Sequence, residues 1–143
     1  MFLVDTNIFL EVMLGRSRSG ECKELLRMFR DGKVKGVVTD FTVHSIIVLL
    51  DRFKKLDVLK NFLLSLTAYK GLYVYTTSIG GEAKAVDLAK ETGLDMDDAI
   101  QYYAALSINA KAIISFDKHF DNLKIPRKEP KDILEMYSKN YRK

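Results

Sequence analysis

Short, largely apolar runs alternate with longer stretches that repeat at helical spacing, and this alternation constrains the fold more than any other feature of the chain. The runs are Phe2-Leu3-Val4, Val34 to Val38, Leu72 to Tyr75 and Ala112 to Phe116. A strand that is apolar on successive residues has to be covered on both faces, which is the signature of a parallel sheet between helices. The expected class is therefore α/β: a three-layer α/β/α sandwich around a central, mostly parallel sheet.

The stretches between the runs carry their own punctuation. Cys22, Leu25, Leu26 and Phe29 share one helical face, with Gly32 just past its end. Asp40 is placed to cap an apolar helix running through Leu50. A further helix carries Val58, Leu59, Phe62, Leu63 and Leu66. Ser78 is placed to cap a helix with Ala83, Val86 and Ala89 that ends at Gly93. Asp95 caps the next, whose stripe is Ala99, Tyr103, Leu106 and Ala110. Pro130 suits the first turn of a closing helix with Ile133, Leu134 and Tyr137. Without repeats or a Pro/Gly-rich linker, residues 1–143 read as one domain, with 138–143 a basic frayed tail.

Charge and cysteine usage narrow the setting. A single cysteine, Cys22, cannot form an internal disulfide, so a reducing compartment is expected, and its spacing predicts core packing. No leader pattern and no run of spanning length occurs, so the expected location is cytoplasmic, away from the membrane. The net charge is +4. Arg16, Arg18, Lys23, Arg27 and Arg30 crowd one end and Lys124, Arg127, Lys128, Lys131, Lys139, Arg142 and Lys143 the other, as on a solvated surface or a polyanion contact.

Three acids carry the chemistry. Asp5 and Asp117 each follow an apolar strand, and Asp98 lies in the first turn of the helix that feeds the last one. In open parallel sheets, ligands bind beyond the carboxyl ends of the strands. Convergent carboxylates repel, and coexist only with protonation or a cation. Magnesium fits, because it takes oxygen donors and is commonly held by one or two carboxylates plus phosphate. Phosphodiester hydrolysis is the chemistry that follows. Each acid also admits a local role: Asp5 as a helix cap, Asp98 as the partner of Asp95 in an imitation capping box, Asp117 as the start of a turn. A zinc site is not indicated, since there is one cysteine and His44 lies far from His119 in sequence.

Three motifs, taken together, resemble a PIN domain: Val4-Asp5-Thr6-Asn7, then Gly93-Leu94 through Asp98-Ala99, then Ser115-Phe116-Asp117-Lys118-His119-Phe120. The resemblance runs over residues 1 to 138. It implies a magnesium- or manganese-dependent endoribonuclease, often a homodimer, with Asp5, Asp98 and Asp117 as catalytic metal ligands and Asn7 and Ser115 in support. Many small members resemble VapC-type toxins, each blocked by an antitoxin, which here would be a separate protein. On this reading RNA is the substrate, with Arg16, Arg18, Lys23 and Lys118 contacting its backbone. Asp97 falls to a supporting or solvent role, because Asp98 directly precedes Ala99.

The chain departs from the pattern at one point. The family usually places a glutamate on the helix after the second strand, whereas Phe41 to Leu50 contains no acid. Asp40 or Glu11 are the candidate substitutes, and His44 is a candidate partner for a metal-bound water. The loss motivates an alternative, a non-catalytic PIN module that binds RNA or a protein partner. A phosphotransfer protein on a similar fold would want a second aspartate where Asn7 stands.

Overall fold

The computed structural model describes residues 1–141, with side chains described through Ser138. In chain order the elements are β1 (Phe2–Val4), α1 (Thr6–Met13), α2 (Ser19–Arg30), β2 (Gly36–Thr39), α3 (Asp40–Arg52), α4 (Leu56–Ala68), β3 (Leu72–Tyr75), α5 (Ile79–Thr92), α6 (Met96–Ser107), β4 (Ile113–Ile114), a 3-10 turn (Lys118–Phe120), β5 (Arg127–Lys128) and α7 (Pro130–Tyr141). The five strands form one sheet in the order β3-β2-β1-β4-β5. All four pairings are parallel. From β1 the chain builds outward through β2 and β3, then returns to the other side of β1 for β4 and β5. The sheet therefore changes direction between β1 and β4, and the carboxyl ends of those two strands flank the crevice where ligands bind in such sheets.

Strand alternation splits the core into two layers. Phe2 and Val4 point to one side, into a cluster with Ile8, Phe29, Val38, Ile46, Leu50 and Ile114. Leu3 points to the other, into a cluster with Val37, Ala99, Ala104, Ile113 and Phe120. Helices from α1 to α4, with α7, cover the first face, and α5 and α6 cover the second. Cys22, Leu25 and Phe29 are completely buried on α2, so each contributes on the order of 2 kcal/mol by leaving water. Burial pushes the Cys22 thiol up to about 12, consistent with the expected packing role.

Several local details differ from what the sequence leads one to expect. Helix α3 is capped by Thr39, whose Oγ1 accepts from the Thr42 N–H at 3.0 Å. Asp40 does not cap it. Its Oδ1 instead accepts from the N–H groups of Phe41 at 3.0 Å and Thr77 at 3.2 Å. On α5 the buried positions are Gly81 and Ala85, while Val86 faces solvent. The reason is close helix packing, since a Cβ at Gly81 would lie 2.8 Å from the Tyr103 ring. Helix α5 ends in a left-handed turn, with a φ of 78° at Gly93 that a glycine adopts without strain. Helix α6 is buried almost all round rather than along a single stripe.

Strand β5 has no apolar run to announce it. It lies at the sheet edge beside β4, where polar residues suffice. Strand β3 is the opposite edge, and Tyr73 and Val74 remain exposed despite their apolar character. Helix α7 continues to Tyr141, so the expected 138–143 tail is helical at its start, and residues 142–143 lie outside the described residues. No described helix is long and apolar enough to cross a membrane.

Candidate metal centre

Asp5 leaves the carboxyl end of β1 almost fully buried, at 3% exposure. It occupies the N-cap position of α1, yet its side chain makes no capping hydrogen bond. Its Oδ2 accepts from Ser115 Oγ at 2.7 Å, and Ser115 Oγ accepts in turn from the Asp117 N–H at 2.9 Å. One buried hydroxyl beyond β4 thus joins the ends of the two strands that flank the crevice. The backbone carbonyl of Ser115 is held by Arg127 Nη1 at 3.1 Å.

Asp98 reaches the same place from the first turn of α6. Asp95 caps that helix, its Oδ1 accepting from the Asp98 N–H at 3.0 Å. Asp98 is buried, and its carboxyl is pushed up to about 7, first by burial and then by the negative charges of Asp95, Asp5, Asp117 and Asp97. Burial also raises Asp5, against hydrogen bonding from Ser115 and Gln101 and with the help of Asp97. Asp97 is raised by burial and by Asp95.

The tightest grouping includes a residue that the motif comparison leaves without a role. Asp98, Asp117 and His119 each offer a ligand atom within 4.8 Å of one another, the group among the described residues that could hold a metal ion. His119 Nδ1 stands 3.1 Å from Asp117 Oδ1 and 3.9 Å from Asp98 Oδ2. The 3-10 turn produces this, because Asp117 caps it by accepting the His119 N–H at 2.9 Å and so folds the imidazole back over its own carboxylate. Asp5 lies outside that group, joined to it through Ser115 and through its charge on Asp98. The donor set of carboxylates with one imidazole suits a divalent cation, and the repulsion on Asp98 is what such a cation relieves.

The other expected site residues divide. Asp97 borders the cluster and accepts from Gln101 Nε2 at 3.3 Å. Asn7 is partly buried in the first turn of α1 and makes no side-chain hydrogen bond to the described residues. His44 is exposed on α3, and His119 rather than His44 approaches the acids. Neither candidate substitute for the missing glutamate joins the cluster: Asp40 is engaged as above, and Glu11 accepts from the Arg18 N–H at 3.1 Å. The additional negative charge around Asp98 comes instead from Asp95 and Asp97 at the start of α6.

Of the basic residues, Arg16, Lys23 and Lys118 are exposed. Arg18 is committed to the protein itself. It pairs with Glu21 at 2.5 Å and Glu129 at 2.6 Å, and its guanidinium lies 4.1 Å from the centre of the Phe116 ring. Glu129 also pairs with Arg127 at 3.0 Å.

Among curated proteins, none matches the chain in sequence. Solved structures match it in fold. A toxin–antitoxin complex from Klebsiella pneumoniae superposes with a TM-score of 0.70 at 19% identity, over 91% of this chain and 98% of that one. VapC20 from Mycobacterium tuberculosis, a toxin that cleaves the sarcin–ricin loop, gives 0.67 at 15% identity, over 82% and 91%. FitAcB from Neisseria gonorrhoeae gives 0.64 at 17% identity, over 91% and 98%. The model of one family, described as PIN domain, matches residues 2–126. By that match, which spans the three aspartates and the whole crevice between β1 and β4, the chain belongs to the PIN-domain family.

Proposed function

We propose that the chain is a ribonuclease dependent on magnesium or manganese, acting as the toxin of a pair whose antitoxin is a separate protein. The observation that carries this reading is the gathering of Asp98, Asp117 and His119, whose ligand atoms lie within 4.8 Å of one another, beside the buried Asp5 carboxylate that Ser115 joins to them. Such an arrangement is unfavourable for a protein with nothing to bind there. Asp5, Asp98 and Asp117 would hold the cation, with His119 alongside. A divalent cation so held supplies a lowered water pKa and neutralises charge on the scissile phosphate.

The chain's own residues do the rest. Ser115 fixes the Asp5 carboxylate and the Asp117 backbone relative to each other. Arg16, Lys23 and Lys118 are exposed to meet RNA phosphates. The toxin assignment is supported by the fold neighbours, which include a toxin–antitoxin complex and a toxin that cleaves the sarcin–ricin loop. A homodimer is the assembly we assign to it.

The test is cleavage of single-stranded and structured RNA with manganese, with chelator and with Asp98→Asn. Turnover that needs the metal and fails in the variant supports the reading. Absence of cleavage in every condition sinks it. One observation favours a second reading, a PIN module that binds RNA or protein without cutting: α3 places no carboxylate in the cluster. That reading requires RNA or partner binding that survives Asp117→Asn, without turnover.

A further inference from the structure

Positive charge collects at the amino ends of the strands, on the edge of the sheet opposite the metal centre. Lys35, Lys70 and Lys111 each stand immediately before a small buried residue, Gly36, Gly71 and Ala112, that opens or leads into β2, β3 and β4. Backbone bonds hold these starts side by side. Gly36 N–H donates to the Gly71 carbonyl at 2.7 Å, Phe2 N–H to that of Lys35 at 3.1 Å, and Lys111 N–H to that of Met1 at 2.9 Å. The platform is tightly packed: a Cβ at Gly36 would lie 2.5 Å from the Phe29 ring, and one at Gly71 would overlap the Val34 carbonyl. All three lysines are exposed. Neighbouring strands are about 4.8 Å apart, so the order β3-β2-β1-β4 sets Lys70, Lys35 and Lys111 in a row about 14 Å long. Lys124, exposed ahead of β5, continues it.

Like charges on neighbouring strands repel. Among the described residues, no acid forms an ion pair with Lys35, Lys70 or Lys111. The Met1 amino group between them is lowered first by burial and then by Lys111 and Lys35. Asp31 feels the charge of Lys70 but is already paired with Arg30 at 2.9 Å. A rim that is merely solvated would mix both signs. The opposite edge is acidic: Asp5, Asp40 and Glu129 directly follow β1, β2 and β5, and Asp117 lies beyond β4. That edge repels an RNA backbone until a cation is bound, so affinity has to come from elsewhere on the molecule. The small residues behind the lysines leave charge without an apolar groove, which suits phosphates better than the apolar core of a protein interface. We propose that this amino-end rim, with Lys35, Lys70 and Lys111 in a row, is a second RNA-binding surface, which holds the phosphate backbone of a folded RNA whose scissile bond lies across the molecule at the metal centre. This inference rests on the RNA reading above and narrows it. An RNA reaches both edges only by extending round the sheet, so the preferred substrate is a folded RNA rather than a short strand.

The test is binding of an RNA hairpin to the whole protein in chelator, across a salt series. One variant combines Lys35→Gln, Lys70→Gln and Lys111→Gln, and a second combines Lys35→Arg, Lys70→Arg and Lys111→Arg. Loss of three phosphate contacts is expected to lower the slope of log affinity against log salt by about 2 to 3 in the glutamine variant. The arginine variant is expected to keep the wild-type slope, and the glutamine variant to cleave a trinucleotide in manganese at the wild-type rate. An unchanged slope in the glutamine variant refutes the surface. Displacement of the hairpin from the wild type by poly-glutamate at equal charge refutes RNA as the occupant and assigns the rim to an acidic protein. If the wild type cuts no RNA while the glutamine variant loses hairpin binding, the nuclease reading falls and the surface stands. Should the glutamine variant fail to fold, acetylation of the wild-type lysines with and without the hairpin decides. Protection of Lys35, Lys70 and Lys111 is expected, and equal acetylation refutes the surface.

Discussion

Replacing Asp98 with asparagine is expected to make the metal-free protein more stable. Asp98 carries a carboxyl raised from 3.8 to about 7 in the folded state. At ~1.36 kcal/mol per pH unit, ionised Asp98 costs the fold at most about 4 kcal/mol, and water reaching the crevice reduces this to about 2 kcal/mol. Asparagine keeps the shape and removes the charge. The cap is preserved, because Asp95 accepts from the backbone N–H of residue 98 and not from its side chain. For a domain of this size, about 2 kcal/mol corresponds to roughly 6 °C in Tm. The sign with pH follows from the raised value. The favourable contribution is complete below the unfolded value of 3.8 and is lost as pH rises to about 7. The gain in Asp98→Asn is therefore greatest at about pH 8 and shrinks towards about pH 5. Thermal melts in chelator at both pH values measure it. Manganese at a hundred times its Kd then raises the wild type by about 2.7 kcal/mol and leaves the variant unmoved. An Asp98→Asn protein that melts at or below the wild-type temperature in chelator at the higher pH refutes the reasoning, because the charge would then already be compensated.

Ser115→Ala leaves both the Asp5 carboxylate and the Asp117 N–H without their shared hydroxyl. An expected loss of about 1–3 kcal/mol in denaturant unfolding, with reduced turnover, checks the bridge, and a neutral result removes it. Lys118→Ala is expected to lower the salt dependence of RNA affinity by about one phosphate contact, measured by binding across a salt series. Arg18→Ala is expected to leave that slope unchanged and to act on stability instead, since its guanidinium is held by Glu21, Glu129 and Phe116.

The contrast between Arg18 and Lys118 also marks where the sequence stops being readable. Both are cations near a motif, but the pairing of Arg18 with Glu129 spans 111 positions and has no local trace. Asp5 could be found because an acid directly after a buried strand has to stand at the sheet rim, and Asp117 because it closes the apolar run Ala112 to Phe116, although the strand itself ends at Ile114 and Ser115 and Phe116 lead from it to the acid. His119 left a local signal, two residues beyond Asp117 in a turn that Asp117 itself caps, but a search for histidine pairs passes over it. Thr39 and Asp40 were both chemically fit to cap α3. What decided between them was where β2 ends, which depends on its pairing with β1 and β3. Strand β5 was hidden because an edge strand needs no apolar run.

If aspartates from the ends of β1 and β4 and from the start of α6 surround one divalent cation, a crystal soaked in manganese shows it most directly, with the ion located by its anomalous scattering. The expected result is a single ordered ion in contact with the Asp98 and Asp117 carboxylates and next to Asp5, absent in Asp98→Asn crystals. An ion bound elsewhere, or a crevice in which the acids stay apart and empty at saturating manganese, contradicts it.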